Sequence, residues 1–184
     1  MIDSPQILAR TGGRALRRIV YSSAQIQQRV EEMGAAITDH FPEGDDLLLV
    51  GLLKGSFVFV ADLVRAIARP LQVDFLVAAS YGAETTSSGA VNLLYDPGAE
   101  LRDRHVLLVE DIIDSGNTLK RLLPLLRARE PRSLEMCALL HKRLAQGLEL
   151  EPRWVGFNAP NEFLIGYGLD HSEDFRNLPF IASL

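Results

Sequence analysis

Hydrophobic positions along this chain follow two rhythms. Runs dominated by Leu, Val and other apolar residues stand at 47–53, 72–80, 105–109 and 133–141. Short, nearly continuous apolar runs are the pattern of strands buried on both faces. Briefer strand patterns occur at 19–21, 90–95 and 154–157. Between the runs, apolar residues take helical spacing. Ile26, Val30, Met33 and Ile37 share one face of a helix over 23–40, with Ser22 or Ser23 as its N-cap. An apolar helix over 57–68 stops at Arg69-Pro70, and a third over 119–129 offers Leu122, Leu123, Leu125 and Leu126 to the core. Pro124 within it predicts a kink or local irregularity. Residues 1–18, with Arg10, Arg14, Arg17 and Arg18, read as a basic arm on the surface.

The stretch His105 to Leu119, HVLLVEDIIDSGNTL, joins these rhythms to candidate chemistry. An apolar strand is followed by Glu110 and Asp111, two isoleucines, the small polar loop Asp114-Ser115-Gly116-Asn117-Thr118 and the start of a helix. Free backbone N–H groups and the helix dipole make such a loop suited to phosphate. The acids do not suit a bare phosphate. They do suit a phosphorylated sugar, whose hydroxyls donate to carboxylates. Acidic capping at a strand end is the plain alternative, and spacing leaves both open.

Other places carry similar choices. Lys54-Gly55-Ser56 follows a buried strand and precedes a helix, as a pyrophosphate loop or an ordinary connection would. Residues 81–89 are small and polar, a long hairpin loop or a lid that excludes water. Lys142 stands where a strand ends, the side on which open parallel sheets bind ligands. Phe163 is a core aromatic or a stacking platform, and Asp170 a turn acid or a ligand.

Bulk properties narrow the class. The 184 residues, 47% hydrophobic and 23% charged, form one domain of ordinary globular composition. A net charge of −5 argues against a general nucleic-acid binder. Cys137 is the sole cysteine, which excludes an internal disulfide and points to a reducing compartment. The opening MIDSPQILAR lacks the apolar core of a signal peptide, and no apolar run is long enough to cross a membrane, so a cytoplasmic protein is expected.

The motif VLLVEDIIDSGNTL resembles the phosphoribosyl-pyrophosphate-binding motif of the type I phosphoribosyltransferases, and its Glu-Asp, Ile-Ile, Asp-Ser-Gly form is similar to the hypoxanthine-guanine branch. VGF, then FLIGYGLD, then FR-x-LP resembles the hood segment of that family. The resemblance implies an α/β fold: an open, mainly parallel twisted sheet flanked by helices, with a small hood built from residues 1–20 and 150–184. It implies transfer of a 5-phosphoribosyl group from phosphoribosyl pyrophosphate to a 6-oxopurine, with Mg2+ as cofactor and a homodimer or homotetramer as the assembly. By the same resemblance Lys54, Gly55 and Ser56 meet pyrophosphate, and the Leu53–Lys54 bond is often cis. Ser80 and Tyr81 open the flexible catalytic loop. Glu110 and Asp111 hold the ribose hydroxyls directly or through metal. Ser115, Gly116, Asn117 and Thr118 grip the 5′-phosphate, and Asp114 shares the purine N7 proton. Lys142 meets O6, Phe163 stacks on the base and Leu164 presents backbone to its edge. Asp170 binds magnesium, and Arg176 meets pyrophosphate.

Two departures stand out: His141-Lys142-Arg143 replaces the Asp-Lys-Pro of many bacterial relatives, and Asn117 sits where some carry lysine. A xanthine-preferring transferase is one alternative. A phosphoribosyl-pyrophosphate-sensing regulator that binds nucleic acid is another. Negative charge, retention of Asp114 and Lys142, and the lack of an added DNA-binding motif argue against the regulator.

Overall fold

A computed structural model describes residues 4–78, 93–144 and 147–184. Ser80, Tyr81 and the rest of the expected lid lie outside the described residues. In chain order the elements are α1 (Pro5–Arg10), β1 (Arg18–Tyr21), α2 (Ser23–His40), β2 (Leu47–Leu53), α3 (Phe57–Ala66), β3 (Gln72–Ala78), β4 (Leu93–Tyr95), β5 (His105–Ile113), α4 (Asn117–Arg127), β6 (Ser133–His141), β7 (Trp154–Asn158), β8 (Leu164–Ile165) and β9 (Ile181–Ser183).

The apolar runs become the middle of a six-stranded sheet, ordered β4-β3-β2-β5-β6-β7, in which every pair is parallel except β3 with β4. Its centre is buried on both faces. On one side Ile26, Val30, Met33 and Ile37 of α2 and Phe59 and Leu63 of α3 pack against Leu49, Leu107, Val109, Cys137 and Leu139. On the other, Leu119, Leu122, Leu123 and Leu126 of α4 cover Leu48, Val50, Val106, Leu108, Met136 and Ala138. Each Val, Leu, Ile, Phe or Met among them contributes about 1.5–3 kcal/mol by leaving water.

Local chemistry sets the helix ends. Ser22 caps α2 in a reciprocal capping box with Gln25. The helix expected over 57–68 ends at Ala66, because Ile67 turns extended and the Ala68 N–H donates to Thr38 Oγ1 at 2.9 Å. The helix expected from 119 begins at Asn117, with Gly116 in the left-handed conformation at φ 75° as its N-cap, and ends at Arg127. It runs through Pro124, which faces solvent, so water can satisfy the carbonyl that loses its N–H partner. Gly34 of α2 lets α3 approach closely: a Cβ there would lie 2.5 Å from Ala66 Cβ and 2.6 Å from the Ala66 carbonyl.

A second, three-stranded antiparallel sheet, β1-β9-β8, joins the two ends of the chain. Leu16, Ile165, Phe175, Leu178, Phe180 and Ala182 form its own core. Part of the segment 150–184, expected to contribute to the hood, lies in the large sheet. Trp154–Asn158 is the edge strand of the large sheet, because its backbone pairs with β6 from Cys137 to His141. No helix among the described residues is long and apolar enough to cross a membrane.

Candidate active site

The site is built at the carboxyl ends of the parallel strands. β5 does not stop where its apolar run stops; it continues through Glu110 and Asp111 to Ile113, paired with β6 as far as Ile113 opposite His141. The Lys142 N–H donates to the Ile113 carbonyl at 3.0 Å. This register brings the next residue of each strand together, and Lys142 Nζ lies 2.9 Å from Asp114 Oδ2. The lysine side chain is only 11% exposed, the aspartate 53%.

Glu110 is buried and lines a small cavity of about 90 Å3 with residues 112–119. Burial, and then the neighbouring Asp111, push its pKa well above the usual carboxylate range. Around this cavity Gly116 supplies a left-handed turn, and the first N–H groups of α4 have no carbonyl of their own helix to meet. The 11-residue helix directs its positive end there.

Asp111 sits in different surroundings. A Cβ on Gly55 would fall 1.7 Å from its Oδ2, so Gly55 is the residue that leaves this carboxylate room. Burial raises the Asp111 pKa to about 6; Asp170 pushes the same way, while backbone hydrogen bonds and Arg176 oppose. Gly168, at φ +99°, brings the hood onto the same loop: a Cβ there would lie 2.1 Å from the Gly55 carbonyl oxygen. The peptide bond between Leu53 and Lys54 is cis.

Arg176 is the hub between hood and loop. Its Nη1 donates to the Gly168 carbonyl at 2.8 Å, and its Nη2 meets Asp170 Oδ1 at 2.8 Å and Glu173 Oε2 at 3.0 Å. The other Glu173 oxygen meets Lys54 Nζ at 2.9 Å. The Glu173 N–H donates to Asp170 Oδ2 at 2.9 Å. Thus Lys54, Gly55, Asp111, Asp170 and Arg176 are brought to one place, and Asp114, Lys142 and the loop 115–118 to another, joined by β5.

Three further expected residues are placed as follows. The Ser56 hydroxyl is buried and donates to the Leu52 carbonyl at 2.6 Å, so its side chain caps the loop and does not face the site. The Leu164 side chain is buried in the core beneath the hood. Phe163 is 55% exposed, its ring edge-on to His171 at 5.3 Å between centroids. From sequence, His171 is an exposed neighbour of Asp170 with no role, and Glu173 has none assigned; an acid midway between Asp170 and Arg176 at three-residue steps was the available signal for Glu173. His141 is buried, and neither ring nitrogen has a hydrogen-bond partner among the described residues. Burial, then Arg143, lower its pKa.

Fold and site together define an α/β protein whose sheet end offers an amide-lined loop, buried carboxylates and flanking cations, the equipment for a phosphorylated sugar. Residues 19–172 match the family model described as "Phosphoribosyl transferase domain". The chain belongs to that family, type I in fold, and to its hypoxanthine-guanine branch. It is 44% identical over 174 residues to a hypoxanthine-guanine phosphoribosyltransferase of Mycobacterium avium, covering 92% of this chain and 86% of that one. A protein of the same description from Dictyostelium discoideum is 43% identical over 171 residues, covering 91% and 95%. The crystal structure of a hypoxanthine-guanine phosphoribosyltransferase from Bacillus anthracis superposes with a TM-score of 0.85 at 42% identity, covering 92% of this chain and 99% of that one.

Proposed function

We propose that this protein transfers the 5-phosphoribosyl group of phosphoribosyl pyrophosphate to hypoxanthine or guanine, a purine-salvage reaction that releases pyrophosphate. The Asp114–Lys142 pair at 2.9 Å carries this reading. In a 6-oxopurine, N7 and O6 lie on the same edge. A carboxylate beside an ammonium matches that edge: Asp114 accepts the N7 proton while Lys142 donates to O6. Adenine presents an amino donor at position 6, and a lysine donor facing it has nothing to bind. As the ribose–pyrophosphate bond breaks and pyrophosphate leaves, N9 of the base attacks C1 while the proton on N7 passes to Asp114. General-base help of this kind is worth about 10²–10⁴ in rate.

The remaining assignments follow from position. The amides of Ser115, Gly116, Asn117 and Thr118 hold the 5′-phosphate, and Glu110 and Asp111 the ribose hydroxyls. Lys54, Gly55 and Arg176 hold pyrophosphate, with Ser56 acting through the loop it caps. Phe163 stacks on the base, Leu164 offers backbone at its edge, and Ser80 and Tyr81 open the loop that covers the reacting atoms. Asp170, near Asp111, supplies hard oxygen ligands suited to Mg2+. No cluster of three or more metal-binding side chains occurs among the described residues, and Mg2+ habitually takes one or two carboxylates plus substrate phosphates. When bound, it neutralises charge on the leaving pyrophosphate. The protein acts in the cytoplasm as a homodimer or homotetramer; an open apolar groove beside Phe57, Val58 and Leu178 supports self-association.

The test supplies phosphoribosyl pyrophosphate and magnesium with hypoxanthine, guanine, xanthine, adenine or uracil, and measures pyrophosphate release. Release with hypoxanthine or guanine and none with adenine is expected. No release with any base overturns the reading.

A further inference from the structure

We propose that Glu173 is a built-in stand-in for pyrophosphate: its carboxylate occupies Lys54 and Arg176 and must be displaced when the substrate binds. The inference rests on the assignment of those two cations to pyrophosphate made above.

The geometry is that of a bridging anion. One oxygen of Glu173 meets Lys54 Nζ at 2.9 Å, and the other meets Arg176 Nη2 at 3.0 Å. A carboxylate and a phosphoryl group present the same feature to such cations, charged acceptor oxygens spaced for charge-assisted hydrogen bonds. The backbone aims the side chain there. Ser172 and Glu173 both take left-handed conformations, at φ 55° and 67°, and the Glu173 N–H is held by Asp170 Oδ2. The contact is also displaceable. Glu173 and Lys54 side chains are each 65% exposed, and exposed ion pairs hold weakly.

Two consequences follow. Without Glu173, Lys54 and Arg176 would repel each other; Arg176 keeps its contacts to the Gly168 carbonyl and Asp170, so it is chiefly Lys54 that Glu173 holds in position. In exchange, any ligand bearing pyrophosphate competes with an internal anion, so its apparent affinity falls by the fraction of time the cations are free. Pyrophosphate is also the product, and the same competition assists its departure.

The experiment measures binding of magnesium pyrophosphate, phosphoribosyl pyrophosphate and inosine 5′-monophosphate by calorimetry to wild type, Glu173→Ala, Glu173→Gln and Asp174→Asn. Asp174 pairs with Arg14 on the neighbouring surface, so its variant removes the same charge one residue away. Glu173→Ala is expected to tighten pyrophosphate and phosphoribosyl pyrophosphate about 3- to 10-fold, with Glu173→Gln between it and wild type. The monophosphate, which lacks the displacing group, is expected to bind unchanged, and Asp174→Asn to change none of the three. In turnover, Glu173→Ala lowers KM for phosphoribosyl pyrophosphate and strengthens inhibition by pyrophosphate. Unchanged or weaker pyrophosphate binding in Glu173→Ala overturns the proposal, as does equal tightening in Asp174→Asn. Lys54→Ala separates the two levels. If it leaves pyrophosphate binding intact, the cation assignment fails; if it weakens binding and Glu173→Ala has no effect, only the stand-in fails.

Discussion

Alanine at position 55 would carry its Cβ to 1.7 Å from Asp111 Oδ2 and 2.5 Å from Asp111 Cγ. Ordinary contact begins at 3.4 Å, so loop and carboxylate must part by about 1.7 Å, an overpacking of the kind that costs roughly 1–3 kcal/mol. Neither side moves freely. Asp111 belongs to β5, which is paired with β2 on one side and β6 on the other. The loop is backed by the hood, where Gly168 already needs to be glycine to clear the Gly55 carbonyl. For a chain of this length 1–3 kcal/mol corresponds to a melting temperature lower by about 2–12 °C. The functional loss should be larger. The displaced groups are Lys54 and Asp111, proposed to hold pyrophosphate and ribose, and a misplacement near 1 Å can lower rate by about 10². Gly55→Ala is therefore expected to remain folded while kcat/KM for phosphoribosyl pyrophosphate falls at least ~100-fold, most of it through KM. Gly98→Ala is the control, since a Cβ there meets nothing closer than 4.0 Å. Thermal melts and initial rates of the two variants decide the matter. A Gly55→Ala protein within threefold of wild type in kcat/KM would refute the claim that this contact shapes the site.

Asp114→Asn keeps the shape beside Lys142 but removes the proton acceptor; kcat should fall by about 10²–10⁴ with the KM for phosphoribosyl pyrophosphate changed only a few-fold, and an unchanged kcat removes Asp114 from the chemistry. His141 is held neutral by burial and by Arg143, so its folded pKa lies below the unfolded value of 6.5. The stability this group contributes is present above that value and is lost as pH falls through the folded pKa. His141→Leu should accordingly lose less stability than wild type between pH 7 and pH 5 in urea unfolding; parallel curves would contradict this. Gly34→Ala gains helix propensity of about 1 kcal/mol but drives a methyl into the Ala66 backbone at 2.6 Å, an overpacking that costs roughly 1–3 kcal/mol, so stability should drop by roughly 1 kcal/mol net, and a raised melting temperature would show that the two helices can separate without loss.

Much of this fold was legible because burial leaves a periodic trace. Residues 47–53 and 133–141 are strands over the lengths their apolar runs predict, since both faces are covered. The N-cap of α2, expected at Ser22 or Ser23, is Ser22, because capping is a local device; the reciprocal partner Gln25 is visible only in the structure. What pattern does not record is pairing. β5 runs on past Val109 because backbone hydrogen bonding to β6 is indifferent to the acids that replace its apolar residues. Trp154–Asn158 joins the large sheet through a partner chosen in three dimensions, which a five-residue strand does not advertise. The direction of Ser56 is hidden for a related reason: a hydroxyl at a loop end can meet ligand or backbone, and here it meets the Leu52 carbonyl.

The acid pair shows where such reading ends. In sequence Glu110 and Asp111 are one motif. In the fold they are consecutive residues of a strand, and such residues face opposite sides. Glu110 lines the cavity of the Gly116 loop, while Asp111 lies against Gly55 and feels Arg176 and Asp170. Burial raises the proton affinity of both, yet only Asp111 feels a balancing cation. A substrate that brings hydroxyl donors to both carboxylates and a cation near Asp111 relieves two different penalties. Phosphoribosyl pyrophosphate with magnesium carries both, whereas a free phosphate carries neither. The acids that make this loop a poor site for a bare anion thus support the proposed sugar phosphate and its metal ion.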